Sequence, residues 1–381
     1  MKMTDASHTY FARLIPQGKF FFGNERTFGQ GSNVNYLIRS NPFPQQTTLL
    51  GMLRYELLRQ GNKLLPITAE NSKQVAETIG TEGFHHERMG TADFGYITEL
   101  SPVFFIENSK AFRAAPLDLA SKDKPNEAVQ ISYSSGAGQA FLFSEQSNDG
   151  FVLKILPPPQ LANFDYKSKA TPLLVPLNGA GSCRFQSEFL ISDARTGNQK
   201  TLRGEIPKLP GGNTTKNRAL FRQYFYQFVQ PNQGFGFWFR THQKINLAPA
   251  IVTLGAERSA FRLEIKTADW TDYSQYRQLD LSESIQKIVL LSDTFVSEKI
   301  YDHCTYAFAE TGDFRHMSQA IHTDSHRYKT AFQRKSHRLS VLVRGSVLYP
   351  KSEKENLIQL KELLDQPALQ QIGMNHYRIE P

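Results

Sequence analysis

Residues 16–60, PQGKFFFGNERTFGQGSNVNYLIRSNPFPQQTTLLGMLRYELLRQ, constrain this chain more than any other stretch. They read as the end of a strand, an irregular loop holding Gly23, Gly29 and Gly31, a turn at Pro42 and Pro44, and a helix entered at Thr47/Thr48. Leu49, Leu50, Leu53, Leu57 and Leu58 recur at helical spacing, which gives that helix one buried face. Thr47 or Thr48 is the expected N-cap, its hydroxyl accepting from orphan backbone N–H groups. The positive end of the helix dipole then lies beside a loop carrying Arg26, Asn33, Asn35 and Arg39. Backbone donors, amides and guanidiniums gathered at one point suit a phosphate chain. The same residues also compose an ordinary capped helix beside a solvated loop.

With 381 residues and 40% hydrophobic content, the chain is long enough for one large domain or two of ordinary size. It has no run of eighteen apolar residues, so no membrane span is expected. The opening MKMTDASHTYFARL lacks the layout of a signal peptide, and Cys183 and Cys304 belong to no CxxC pair, so a cytoplasmic protein is expected. A net charge of +8 favours a polyanionic partner. The basic residues are spread through segments with folded patterns, as in a groove or platform.

Strands are expected over 10–16, with 19–22 continuing after a turn, and over 102–107, 260–266, 287–292 and 339–349. Helices are expected over 47–60, 69–79 and 353–364. Residues 108–148 read as surface loops and hairpins, and 157–176, with five prolines, as a crossover between halves. The basic stretch 195–217 turns at Gly211-Gly212-Asn213. Thr214 or Thr215 is then expected to cap a helix whose apolar face is Leu220, Phe221, Tyr224, Phe225 and Phe228. A turn and a terminal strand over 371–379 close the chain. Strands and helices in this irregular order indicate an α+β fold, with a split βαβ unit in each half.

Several motifs carry possible chemistry. QGFGFWFR at 233–240 partly matches the aromatic strand of an RNA recognition motif, yet lacks its leading basic and closing aromatic residues, so a core strand is the better reading. His322 and His326 have the spacing of a zinc pair without an evident third ligand, and His303-Cys304 is adjacent rather than spaced for chelation. There is no nucleotide loop, nucleophile elbow or Walker lysine. A lone histidine could still serve a metal-independent ribonuclease as acid or base. Residues 316–338 are the densest basic stretch, where Arg327, Tyr328, Lys329, Arg334, Lys335 and Arg338 could follow a single-stranded backbone or form a solvated helix face.

LIPQGKFFFGNERTFGQG, NPFPQQTTLLGMLRYELL and LGAERSAFRLE, followed in order by KIVLLSDTFV, AFAETGDF, LVRGSVLYP and QIGMNHYRI, resemble the third subunit of the Cmr complex. That complex is the type III-B CRISPR effector, and the family belongs to the RAMP superfamily. The resemblance covers most of the chain, least so about 108–170. It implies two ferredoxin-like (RRM-like) domains with loop and hairpin insertions, spanning 1–170 and 171–381. It also implies a subunit without catalysis, cofactor or metal. The implied partners are the 5′ handle of the CRISPR RNA, the large polymerase-like subunit, the backbone subunits and, indirectly, target RNA, with no membrane. Arg26, Asn33, Asn35, Arg39, Thr47 and Thr48 match the handle-facing region, and the loop ending at Arg258 matches another glycine loop of the family. Lys216 and Arg218 follow the second expected cap. The usual C-terminal glycine-rich loop is reduced here to Gly373, beside Asn375, His376 and Arg378. If about five phosphates are neutralised, affinity should fall roughly as the inverse 3.5 power of salt. A metal-independent RNA-processing endonuclease of the same superfamily is the alternative.

Overall fold

A computed structural model describes residues 7–23, 36–61, 64–88, 90–120, 129–130, 172–178, 182–198, 220–255, 257–276, 287–318, 334–335, 338–351 and 354–380. In chain order come β1 (His8–Pro16), β2 (Tyr36–Arg39), α1 (Gln46–Glu56), running on as a π-helical turn, and α2 (Ser72–Ile79). Next are β3 (Ile97–Leu100), β4 (Phe104–Glu107), β5 (Lys110–Ala114), β6 (Leu119–Ala120) and β7 (Val129–Gln130). β8 (Leu173–Pro176) and β9 (Arg184–Phe185) lead into the longer β10 (Leu190–Asn198), β11 (Leu220–Phe228) and β12 (Gln233–Thr241). β13 (Ala250–Leu254), β14 (Ser259–Thr267) and α3 (Thr271–Ser274) follow. Then come β15 (Lys287–Leu290), a 3-10 segment over Glu298–His303, β16 (Cys304–Phe308), β17 (Thr311–Phe314) and β18 (Met317–Ser318). β19 (Arg334–Lys335), β20 (Leu339–Leu342), β21 (Val347–Pro350), α4 (Lys354–Leu364), α5 (Pro367–Gln370) and β22 (Tyr377–Glu380) complete the order.

The fold is α+β, dominated by antiparallel sheets. β1 is the spine of the nine-stranded main sheet, whose order is β13-β14-β1-β12-β4-β5-β8-β9 with β3 also on β12. Its alternation explains this position: Tyr10, Ala12 and Leu14 are buried and Leu14 lies opposite both Phe235 and Leu263. α1 lays Leu49, Leu50 and Leu53 on that face, in one core with Phe20, Phe105, Phe235 and Phe261. Each such side chain contributes about 1.5–3 kcal/mol of burial. The motif at 233–240 is β12, buried along nearly its whole length, so its aromatics are core. A Cβ at Gly236 would stand 2.6 Å from the Phe11 ring, so the glycine makes room for an aromatic on the neighbouring strand.

A second sheet has the order β16-β21-β15-β22. The Glu298–His303 segment and α4 cover one of its faces through Ile300, Leu360 and Leu364. A third, three-stranded sheet runs β10-β11-β2, with β2 parallel to β11 and β10 antiparallel to it.

Four expectations need correction. Residues 220–228 form a strand, not a helix, because β10 pairs with their whole length and the short β2, with the Phe20 bridge, takes up the other edge. Residues 339–349 break into β20 and β21 at Gly345, whose φ of +89° and approach to the Ala115 carbonyl exclude a side chain. Residues 19–22 do not extend β1; Phe20 instead makes a single bridge to Tyr226. α1 starts at Gln46 after an extended Gln45, with no side-chain cap. Its entry is fixed by the buried Gln46, which donates to the carbonyls of Ser101 and Ile372 at 2.9 Å each. Thr47 and Thr48 are therefore half-buried first-turn residues rather than caps. Among the described residues no helix is long and apolar enough to cross a membrane.

Candidate nucleic-acid interface

β11, LFRQYFYQF, alternates so that Arg222, Tyr224 and Tyr226 share one face of the three-stranded sheet and Gln223, Phe225 and Gln227 the other. β2 runs alongside and sets Arg39 opposite Tyr224. The Arg39 guanidinium carbon lies 5.6 Å from the Tyr224 ring centroid, and that of Arg222 lies 5.7 Å away. Both arginines are exposed. β10 contributes Ser192, Ala194 and Thr196 to this face, so none of these positions carries a carboxylate. Asp193, on the opposite face, pairs with Lys19 at 2.5 Å. There too Arg195 stacks on Phe225 at 4.7 Å.

The strand is held in place from below. Phe20 and Tyr226 exchange backbone hydrogen bonds of 2.8 and 2.9 Å, and their rings lie 6.3 Å apart. Burial raises the Tyr226 pKa, while the nearby Arg39 charge pulls it down. Ser40, just after β2, donates its backbone N–H to the Tyr224 carbonyl and accepts from the Phe22 N–H, which fixes where Arg39 leaves the sheet.

A tight turn after β13 meets the edge of the same sheet. Gly255 has φ +76°, and a Cβ there would sit 2.5 Å from the Phe21 carbonyl. Glu257 accepts from Gln223 at 3.3 Å. Arg258 is exposed in the left-handed region at φ +49°, its N–H bonded to the Gly255 carbonyl. Arg39 and Arg258 are thus brought to one region, joined by Arg195, Arg222 and Tyr224, which sequence reasoning missed. A period-two reading of the aromatic-rich 220–228 would have found the last two.

The remaining expected contacts fare differently. Arg26, Asn33, Asn35, Lys216, Arg218, Arg327, Tyr328 and Lys329 lie outside the described residues, as do His322 and His326. Arg334 begins β19, opposite Ser318. His376 is fully buried: one ring nitrogen is 2.5 Å from the Tyr273 hydroxyl, the other 2.8 Å from the Gln370 carbonyl. Its ring is thus engaged inside the protein and has no surface to present to a strand. Arg378 is partly exposed and leans towards Glu380, 3.7 Å away. Cys304 is buried, with its thiol pKa pushed up to about 12 by that burial, and His303 meets the Asn356 amide at 3.0 Å.

The profile described as CRISPR-associated protein (Cas_Cmr3) matches residues 12–379. No curated protein matches the chain. Among solved structures, a chain of the type III-B Cmr-beta complex bound to cognate target RNA is similar at 11% identity and TM-score 0.42, over 93% of this chain and 89% of that one. A chain of the same complex with target RNA and AMPPnP is similar at 12% identity and TM-score 0.42, over 94% of each. A chain of a Csm3–Csm4 subcomplex of the type III-A interference complex aligns at 10% identity and TM-score 0.33, over 90% of this chain and 93% of that one.

Proposed function

The chain belongs to the Cas_Cmr3 family of CRISPR-associated proteins, and from that membership we propose that it is a non-catalytic, RNA-binding subunit of a type III-B effector. It holds the 5′ handle of the CRISPR RNA and joins the large polymerase-like subunit to the backbone subunits. One observation carries the reading: Arg39 and Arg222 stand exposed around Tyr224 on a sheet face whose described strand positions carry no carboxylate. Guanidiniums without an acidic partner are free to grip phosphates. The exposed Arg195 and Arg258 extend the positive surface around the sheet edge.

The strand orders support two ferredoxin-like units. β15, the Glu298–His303 turn, β16, β21, α4 and β22 follow the βαββαβ plan with its antiparallel order. In the main sheet, β14-β1-β12-β4 has the same order, with α1 after β1 and no helix between β12 and β14. The division then falls between β14 and β15 rather than at residue 170, and the segments between these core strands, including β10 and β11, are insertions.

The test uses the purified chain and the assembled effector with a single-stranded RNA carrying the repeat-derived 5′ end. Arg39→Ala with Arg222→Ala should weaken binding about tenfold or more, the equivalent of ~1.4 kcal/mol. Unchanged affinity and assembly would remove this site. Incubation with repeat RNA in EDTA should leave the RNA intact; discrete cleavage products would favour the endonuclease instead.

A further inference from the structure

Tyr224 has an environment unlike that of the other aromatics on β11. Phe225 and Phe228 are buried, Phe225 against Phe21 and Phe228 against Phe235. Tyr226 is drawn inward onto Phe20. Tyr224 is half-exposed, and the guanidiniums of Arg39 and Arg222 lie 5.6 and 5.7 Å from its ring centroid. On its β10 side the cross-strand partner is Ala194, a methyl group that leaves space beside the ring. A tyrosine retained on an exposed face, with a small residue on one flank and cations on the other, is poorly explained by core packing.

We propose that Tyr224 is a stacking platform for one nucleobase of single-stranded RNA, with Arg39 and Arg222 holding the phosphates on either side of that nucleotide. The proposal rests on the RNA-binding reading above and adds a base contact to it. Every base has a π face, so stacking tolerates sequence while requiring an unpaired nucleotide. The backbone beneath is rigid, since β11 is paired on both edges and β2 is anchored through Ser40. A platform of this kind selects single-stranded over double-stranded RNA, because a paired base cannot turn its face to the ring.

The experiment compares full-length wild type with Tyr224→Leu, Tyr224→Phe and Tyr224→Trp, using single-stranded RNA in which 2-aminopurine replaces one handle nucleotide at a time. Wild type should change the 2-aminopurine emission at one position, and Tyr224→Leu should abolish that change. Tyr224→Leu should lose about 5- to 150-fold in affinity, the span of one base–aromatic stack, while Tyr224→Phe retains binding. The salt slope should stay at the wild-type value in Tyr224→Leu, whereas each arginine removed lowers it by about 0.7. Should the leucine variant fail to fold, Tyr224→Trp supplies the reading. Its added tryptophan emission, taken against wild type, should be quenched by RNA. Wild-type affinity and emission in Tyr224→Leu, or an unquenched Tyr224→Trp that still binds RNA, would overturn the platform and leave phosphate gripping intact. Absence of salt-sensitive RNA binding by wild type would overturn both.

Discussion

At the junction of the main sheet and the four-stranded sheet, Lys287 on β15 reaches Asp118 at 2.8 Å, and both are buried. On the three-stranded sheet, Arg39 and Arg222 stand in solvent around a tyrosine, without an ion-pair partner among the described residues. Asp118 also accepts from the Tyr349 hydroxyl at 2.5 Å, and Arg113 on β5 binds Glu380 on β22 at 2.7 Å. Burial pushes the Arg113 pKa down, and the Glu380 charge partly restores it. In the first region positive charge is neutralised by carboxylates, Glu380 of the four-stranded sheet for Arg113 and Asp118 of the turn after β5 for Lys287, which ties the two sheets together. In the second it is left unspent. Both regions are built on cations; burial and the supply of carboxylates differ, and together they separate a structural cation from one available to a ligand.

The comparison breaks most visibly at the junction. Asp118→Ala should cost about 3 kcal/mol, because it leaves the buried Lys287 ammonium with only the longer 3.7 Å contact to Glu380. Denaturant unfolding measures this, and replacing both members by Asp118→Leu with Lys287→Met should cost less than the single change. Gly255→Ala comes next: the Cβ contact with Phe21 and the positive φ should cost at least about 1 kcal/mol and lower the melting temperature. Arg39→Ala and Arg222→Ala should each change stability by no more than about 0.5 kcal/mol while flattening the salt dependence of RNA binding. Smallest is a pH effect in the loop after α2. The Gly95 N–H, then Thr81, hold the Asp93 carboxylate below its usual 3.8, and the Asp93 N–H with Arg88 lowers Glu82 similarly. Folded values below unfolded ones stabilise the loop above the ordinary carboxylate range, and that stability is lost as pH falls through the lowered values. Protection of the Gly95 amide, taken against its intrinsic exchange rate, should therefore fall on acidification below about pH 3.8.

What the sequence revealed depended on how local the cause was. β1, β14 and α4 were legible because alternation or helical spacing lies within each segment. Arg39 was legible as a cation beside a helix entry, but its neighbours were not. Phe221, Tyr224, Phe225 and Phe228 fit a helical period, and only the distant β2 and the antiparallel β10 decide for a strand. The threonine cap failed because Gln46 finds partners 55 and 326 residues away. His376 was expected as an RNA contact, yet its ring is claimed by Tyr273, 103 residues upstream. The Asp118–Lys287 pair spans 169 residues and leaves no periodic trace in either segment.

Crosslinking the assembled effector through 4-thiouridine in the handle, with adducts mapped by mass spectrometry, tests the central claim most directly. Adducts should fall on peptides containing Tyr224 and Arg39, and none on the peptide containing Asp118. Adducts on another subunit alone, with the β11 peptide unmodified, would contradict it.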